Sequence, residues 1–319
     1  MSPEKNPSII ALTEGYDGLG AALTSWMFSL CLAGFGYRTI LIQTDASPID
    51  YKCEQEDSIR KQLSQHLQGT CIPCLQTLVL PVEDTVNRNQ QFETFIRSIH
   101  ALPAEYIVLD LGNARTEFDL IALAFSDIPL YLITDEAPSV IKAYNLVRST
   151  LLTKLNIHMN EPEIQQRFIQ CGVLSDGPFL YPVSSVFEKL AEQDPFLYEK
   201  ACSCKNMLQP RILMLNRKRR IKHDYYQLLG SALKEYLDLC PAYWGTMCEM
   251  HHLYNSSRQT WLNTCFREFN ASVVSLVVRH MLKQNSDITP FYSKVRINKI
   301  SDIPEQANNL RHDKIFSLN

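Results

Sequence analysis

Residues 8–20 read Ser-Ile-Ile-Ala-Leu-Thr-Glu-Gly-Tyr-Asp-Gly-Leu-Gly, and an apolar stretch at 21–33 follows them directly. The short apolar run Ser8 to Leu12 predicts a buried strand, and the stretch 21–33 predicts a helix that ends at Gly34 and Gly36. A glycine-containing loop between a first strand and a first helix is where phosphate is usually held, because backbone N–H groups and the helix dipole favour an anion there. The stretch therefore predicts an α/β protein with a candidate phosphate loop.

Five further apolar runs predict strands along the rest of the chain. They are Thr39 to Gln43, Leu78 to Pro81, Tyr106 to Leu111, Leu130 to Thr134 and Ile212 to Leu215. Strands that alternate with helical patterns predict a parallel sheet covered by helices on both faces. The predicted fold class is thus α/β, with a three-layer, doubly wound, mostly parallel sheet of six strands.

The domain organisation follows from length and from changes in the pattern. A chain of 319 residues allows one large domain or two smaller ones, and a single domain over 1–284 is predicted. Prolines interrupt the periodicity at 156–210, which predicts an insertion, and residues 285–319 form a polar tail. The stretch Phe266 to Lys283 has helical periodicity and is predicted to pack on the sheet as the last helix, with an amphipathic membrane helix as the alternative.

Charge and hydropathy narrow the classes of partner and location. The formal net charge of -3, from 31 basic and 34 acidic residues, gives no reason to expect nucleic acid or an anionic membrane as partner. The basic run Arg217 to His223 is the strongest local charge feature and is interpreted as a solvated helix start. The alternative is a binding surface, for an acidic protein before nucleic acid or phospholipid. Ten cysteines and the absence of a membrane-length apolar run predict reduced thiols and a cytoplasmic protein.

One cysteine pair has a spacing found in metal sites. Cys71 and Cys74 form CxxC, and Cys202 and Cys204 could supply a second half-site. A CxC pair is unusual in a structural zinc site, which normally presents two CxxC-like pairs. The sequence therefore predicts no metal here, and the cysteines are interpreted as ordinary thiols.

Polar residues close several of the predicted strands. Asp45 follows the second strand, Asp110 closes YIVLD and is followed by Gly112, and Asn216 closes the strand ILML-Asn. The segment Thr134 to Tyr144 begins Thr-Asp-Glu-Ala-Pro-Ser-Val. These strand-end residues and this segment are the positions that carry a resemblance to a known family.

With these features the chain resembles the MinD, ParA and FlhG family of deviant-Walker P-loop ATPases, over residues 8–150 and more loosely to 283. The segment Thr134 to Tyr144 is similar to the family's TxPEPTSxxxAY stretch. The resemblance implies a P-loop NTPase-like fold and a nucleotide site with ATP and Mg²⁺. The residues implied to contact that nucleotide are Gly15, Gly18, Gly20, Asp45, Asp110, Gly112 and Asn216.

The phosphate loop departs from the family pattern xKGGxGK[ST] at its three chemical positions. Aligning the glycines puts Glu14 at the signature lysine, Leu19 at the phosphate-binding lysine and Gly20 at the magnesium-binding hydroxyl. Phosphoryl transfer needs cationic groups to neutralise the shifting charge. A carboxylate there repels phosphate, since unit charges 4 Å apart interact by about 4 kcal/mol at an effective dielectric of about 20.

Asp45 and Asp110 are therefore interpreted in two ways. They either hold a metal or water, or they are relics that hydrogen-bond the neighbouring loop. No catalytic residue is assigned, and no cofactor is expected unless nucleotide binding is retained.

Three functions follow in order of preference. The first is a regulatory or scaffolding protein that binds a protein partner, either an active relative or a second copy of itself, in the spatial positioning of cell machinery. The second is a residual ATPase. The third is a protein similar to short-chain dehydrogenases, suggested by the glycines at 15, 18 and 20 and by LGNA at 111–114, although Tyr144 is followed by Arg148 where that family has a lysine.

Overall fold

A computed structural model describes residues 6–14, 20–45, 68–69, 74–81, 98–114, 116–158, 183–216, 225–248 and 271–281 of the chain. Eight strands lie in one sheet: β1 Ser8–Glu14, β2 Thr39–Asp45, β3 Gln68–Gly69, β4 Leu75–Pro81, β5 Tyr106–Asp110, β6 Ile128–Thr134, β7 Arg211–Asn216 and β8 Ala242–Cys248. The helices are α1 Ala21–Gly34, α2 Glu117–Phe125, α3 Ala137–His158, α4 Val183–Gln193, α5 Pro195–Met207 and α6 Tyr225–Leu237. A last helix, α7, spans residues 271–281 and becomes a π-helix over Val277–Met281.

The sheet has the order β3-β4-β2-β5-β1-β6-β7-β8. Seven strands are parallel, and only β3 runs antiparallel, against β4. Parallel strands alternate with helices that cover both faces, so the predicted three-layer α/β fold is confirmed. All six predicted strands are present, but the predicted count is wrong, because β3 and β8 are additional.

The strand order also tests the third functional alternative, a protein similar to short-chain dehydrogenases. In the dinucleotide-binding order 3-2-1-4-5-6 the first two strands are neighbours. Here β5 lies between β1 and β2, and β1 pairs with β5 and β6. The dehydrogenase interpretation is therefore wrong.

Alternating side chains of the central strands build two cores, one on each face of the sheet. On β1, Ile9 and Ala11 face one core and Ile10 and Leu12 face the other. The first core also receives α2 to α6, and the second receives α1 and α7. Strands buried on both faces read as continuous apolar runs, which is why β1 and β5 are clear in the sequence.

Helices α4 and α5 lie within the segment 156–210 that the sequence predicts as an insertion. Their side chains Phe187, Leu190, Leu197 and Ala201 belong to the same core as α3 and α6. Whether 156–210 is an insertion stays a prediction, and the predicted tail at 285–319 lies outside the described residues.

The last helix packs as the sequence predicts. Val273, Val274 and Val277 are buried in the core that α1 covers. At its end, the His280 ring stacks on Trp244 of β8 with centroids 4.8 Å apart, and His280 Nε2 lies 2.8 Å from the Trp244 carbonyl oxygen. Among the helices that the structure describes, none is long and apolar enough to cross a membrane.

Strand β8 and helix α7 approach closely at one glycine. Gly245 has φ 144°, a conformation that other residues rarely adopt, and a Cβ added there would lie 2.9 Å from Leu276 Cδ2. The β7–β8 register shifts between Ile212 and Leu213, next to this position.

We expect Gly245→Ala to destabilise the protein by about 1–3 kcal/mol, because it combines backbone strain with a clash against α7. The matched control is Gly230→Ala, since Gly230 lies in α6 with its nearest atom, Pro241 Cγ, 4.0 Å from an added Cβ. That control should stabilise α6 by up to about 1 kcal/mol through helix propensity. Urea unfolding measures both, and equal effects of the two substitutions would contradict the close packing of α7 on β8.

We expect acidification to lower the stability of the folded protein, because the pKa of His280 is lower in the folded protein than in the unfolded chain. Burial first, and then the nearby Arg279 and Arg211, lower the pKa of His280 below its ordinary 6.5, against the opposing bond to Trp244. Because the unfolded chain then binds the proton more tightly, stability falls as the pH drops below about 6.5. We expect His280→Gln to show a smaller loss of stability between pH 7.5 and pH 5 than the unsubstituted protein, measured by urea unfolding. An identical loss in both proteins would show that His280 does not contribute.

Candidate functional site

The carboxylate of Glu14 lies at the carboxyl edge of the sheet, where β1 ends. Its Oε2 accepts a hydrogen bond of 3.0 Å from the backbone N–H of Ala21, the first residue of α1. Glu14 is only 8% exposed. A negative charge at this end of a helix is favourable, because the first backbone N–H groups have no partner within the helix.

The helix start explains why a distant residue supplies this acceptor. Gly20 precedes α1 with φ 98° and has no side chain to cap the helix. By contrast, α2 begins with a local capping box, in which the side chains of Thr116 and Asp119 bond each other's backbone N–H. Glu14 therefore takes the role that a local cap fills in α2.

The backbone of β1 is also tied to the turn after β5. Glu14 N–H donates to the Gly112 carbonyl at 2.7 Å, and the Thr13 hydroxyl donates to the same oxygen at 2.9 Å. Gly112 has φ 53° and Ala114 has φ 44°. Left-handed backbone suits a glycine but is uncommon for alanine, so the turn 112–114 holds one strained residue.

Asp110 closes β5 beside this turn and is 7% exposed. Its Oδ1 accepts a bond of 3.2 Å from Gly112 N–H, and its Oδ2 lies 3.5 Å from Gln43 Nε2 on β2. Both oxygens thus contact neighbouring protein groups, as the relic interpretation expects. The alternative role of Asp110, holding a metal or water, stays open.

The other predicted site residues are described in part or not at all. Gly15, Gly18 and Leu19 lie outside the described residues, and so does the basic run 217–223. Asp45 and Asn216 are the last residues of β2 and β7, paired with Pro81 and Cys248, and only their backbone is described. Strand pairing thus places Asp45, Asp110 and Asn216 at the same edge of the sheet as Glu14.

The segment that resembles the family's TxPEPTS stretch forms the turn into α3. Ser139, which is buried, accepts a hydrogen bond of 3.0 Å at its Oγ from Thr134 N–H. Its own N–H donates to the Glu136 carbonyl at 3.1 Å. The serine therefore fixes how α3 leaves the end of β6.

Three polar residues at this edge were missed in the sequence: Thr13, Gln43 and Ser139. Each lies at the end of a strand or in the turn that follows one, and that position is the signal that could have found them. The hydrogen bonds of Thr13 and Gln43 join residues far apart in the sequence, and that of Ser139 joins the start of α3 to the end of β6, so sequence patterns do not reveal them.

The cysteine pairs do not meet in the described part of the chain. Cys71 lies outside it, Cys74 is exposed, Cys202 is half-buried and Cys204 is buried. Among the described residues, no three His, Cys, Asp or Glu side chains are grouped as a metal site would need.

Large apolar side chains are exposed at several places on the described surface. Ile141 on α3 is 60% exposed and Leu228 on α6 is 59% exposed. Tyr236, also on α6, is partly exposed and contacts Tyr144 of α3 edge to face, with ring centroids 6.4 Å apart. Apolar residues thus reach the surface on both of these neighbouring helices.

Comparisons with known proteins identify the fold. No protein-family model and no curated protein matches the chain. The MinD cell division protein of Aquifex aeolicus is a similar solved structure, with a TM-score of 0.50 and 14% identity over 88% of this chain and 98% of that one.

Two further solved structures resemble the chain less closely. A ParA family ATPase from Chlorobium tepidum has a TM-score of 0.44 and 12% identity, over 92% of this chain and 99% of its own. A plasmid partition protein from Borrelia burgdorferi has a TM-score of 0.44 and 15% identity, over 87% and 100%. At such low identity, the similarity to MinD shows the fold alone: the chain has a P-loop NTPase-like α/β fold, as its sequence predicts.

Proposed function

We propose that this protein is a MinD/ParA-like protein that has lost ATP hydrolysis and acts as a regulatory or scaffolding module that binds another protein. The observation that carries the proposal is the buried Glu14 carboxylate on the first N–H of α1. In a P-loop protein, phosphate oxygens accept hydrogen bonds from N–H groups at this end of the helix. A carboxylate bonded there competes with phosphate for the same donors.

Charge supports the same proposal. Glu14 is buried at the start of α1, where the phosphate groups of a nucleotide would lie in this fold. A triphosphate needs cations around it, because its negative charge shifts during transfer. In the sequence, Leu19 and Gly20 stand where the lysine and the hydroxyl of an active loop would be, so they supply neither a cation nor a magnesium ligand.

Protein binding fits the surface that remains. The exposed side chains Ile141 and Leu228 lie on the helices that follow β6 and β7. These two helices pack side by side, with Tyr144 of α3 against Tyr236 of α6, and their exposed apolar side chains are available for contact with another protein. The partner in this proposal is an active relative or a second copy of the chain, and the process is the spatial positioning of cell machinery, to which the resemblance to MinD points.

Nucleotide titration tests the loss of ATP chemistry. We expect no rise in the melting temperature with 1 mM ATP or ADP, with or without Mg²⁺, and no release of phosphate from ATP. A ligand present at 100 times its dissociation constant would stabilise the native state by about 2.7 kcal/mol, which a thermal scan detects readily. The matched variant is Glu14→Lys combined with Leu19→Lys and Gly20→Ser, which restores the missing groups.

In that triple variant we expect ATP to raise the melting temperature above the variant's own ligand-free value, which the Gly20→Ser substitution lowers because the backbone φ there is 98°. A clear response of the unsubstituted protein would instead support the residual ATPase, in which Asp110 and the Gly112 turn still serve a nucleotide. Phosphate release by the unsubstituted protein, with loss of that activity in Asp110→Asn, would contradict the proposed function outright.

A further inference from the structure

We propose that Glu14 is an autoinhibitory residue, whose carboxylate takes the place of a bound phosphate at the first turn of α1 and excludes anions from the backbone N–H group there. The inference rests on the proposed function and deepens it, because it names the group that keeps anions out. It also goes beyond the loss of a lysine. Without that cation the site would bind phosphate weakly, whereas the Glu14 carboxylate already occupies the N–H donor that a phosphate would use.

The first step of the argument is the origin of the acceptor. Helix caps usually come from the N-cap residue itself, and α2 follows that rule through Thr116. In α1 the N-cap is Gly20, and the acceptor comes from Glu14, seven residues before Ala21. The carboxylate therefore joins the start of α1 to the end of β1, which is the strand end where a P-loop begins.

The second step is burial. Glu14 is 8% exposed, and removing a carboxylate from water is costly unless hydrogen bonds compensate it. The Ala21 N–H and the positive end of the α1 dipole supply such compensation. A negatively charged ligand would have to displace a carboxylate that is already placed and bonded, and it would meet the repulsion of that charge.

The third step is the connection to the rest of the sheet edge. The same residue that bonds α1 through its side chain bonds Gly112 through its N–H, beside the hydroxyl of Thr13. Glu14 thus joins β1, α1 and the turn after β5. In a nucleotide-binding P-loop protein a phosphate bridges such elements, and here a permanent internal anion does so without a ligand.

Amide hydrogen exchange at Ala21 measures this contact directly. In Glu14→Ala the Ala21 N–H loses its acceptor, and we expect its exchange to be about tenfold faster or more. Glu14→Gln keeps a carbonyl oxygen as acceptor, so its Ala21 exchange should stay within about threefold of the unsubstituted protein. The matched control is Glu117→Ala, which removes an exposed carboxylate from the first turn of α2 and should leave Ala21 unchanged.

Inorganic phosphate probes the exclusion of anions. At about ten millimolar phosphate we expect no movement of the Ala21 and Thr24 amide resonances in the unsubstituted protein. A clear shift is expected in Glu14→Ala, and a smaller one in Glu14→Gln, because a neutral amide is displaced more easily than a carboxylate. If Glu14→Ala does not fold, the comparison of Glu14→Gln with the unsubstituted protein alone decides.

Two results would overturn the inference. The first is an equal rate of amide exchange at Ala21 in Glu14→Ala and the unsubstituted protein. The second is an equal phosphate-induced shift of the Ala21 and Thr24 amide resonances in Glu14→Gln and the unsubstituted protein. Both are separate from failure of the proposed function, which the nucleotide titration of the unsubstituted protein tests. The protein could lack ATP hydrolysis even if Glu14 proved to play no inhibitory role.

Discussion

The hydrogen bond from Ala21 N–H to the Glu14 carboxylate is the contact on which the functional interpretation depends. It satisfies the first donor of a helix whose N-cap is a glycine without a side chain, and it places a negative charge at the positive end of the helix dipole. In a P-loop fold those two roles belong to a phosphate group. The protein therefore completes its own helix start and needs no nucleotide to do so.

The rest of the sheet edge is arranged consistently with this contact. Asp110 bonds the N–H of Gly112, and Gly112 accepts from both Thr13 and Glu14. These bonds join β1 to the turn after β5 within the protein. A site built for ATP would place cations at the start of α1, whereas the described buried charge there is the Glu14 carboxylate.

Much of the fold follows from the sequence, because the central parallel strands are buried on both faces and read as continuous apolar runs. Strand β8 escaped prediction because Gly245 interrupts its pattern, and this glycine is required by the close approach of Leu276. Helices α4 and α5 escaped because prolines and polar residues surround them, although Phe187 and Leu197 join the core.

The sequence predicts the acidic residues of the candidate site, but it does not predict the hydrogen bonds that these residues make. The sequence shows an acidic residue at position 14 in place of a lysine, and it places Asp110 at a strand end. The contact of Glu14 with Ala21 joins residues seven apart in the sequence, and no local sequence pattern encodes it. The bonds of Thr13 and Gln43 likewise join strands far apart in the sequence, so only the sheet order reveals them.

A crystal structure grown in the presence of a non-hydrolysable ATP analogue and Mg²⁺ tests the central claim most directly. The account predicts that Glu14 Oε2 lies about 3 Å from Ala21 N, within ordinary hydrogen-bond distance, with no nucleotide density at the start of α1. Density for a nucleotide there, with the Glu14 side chain turned away from the helix, would contradict it.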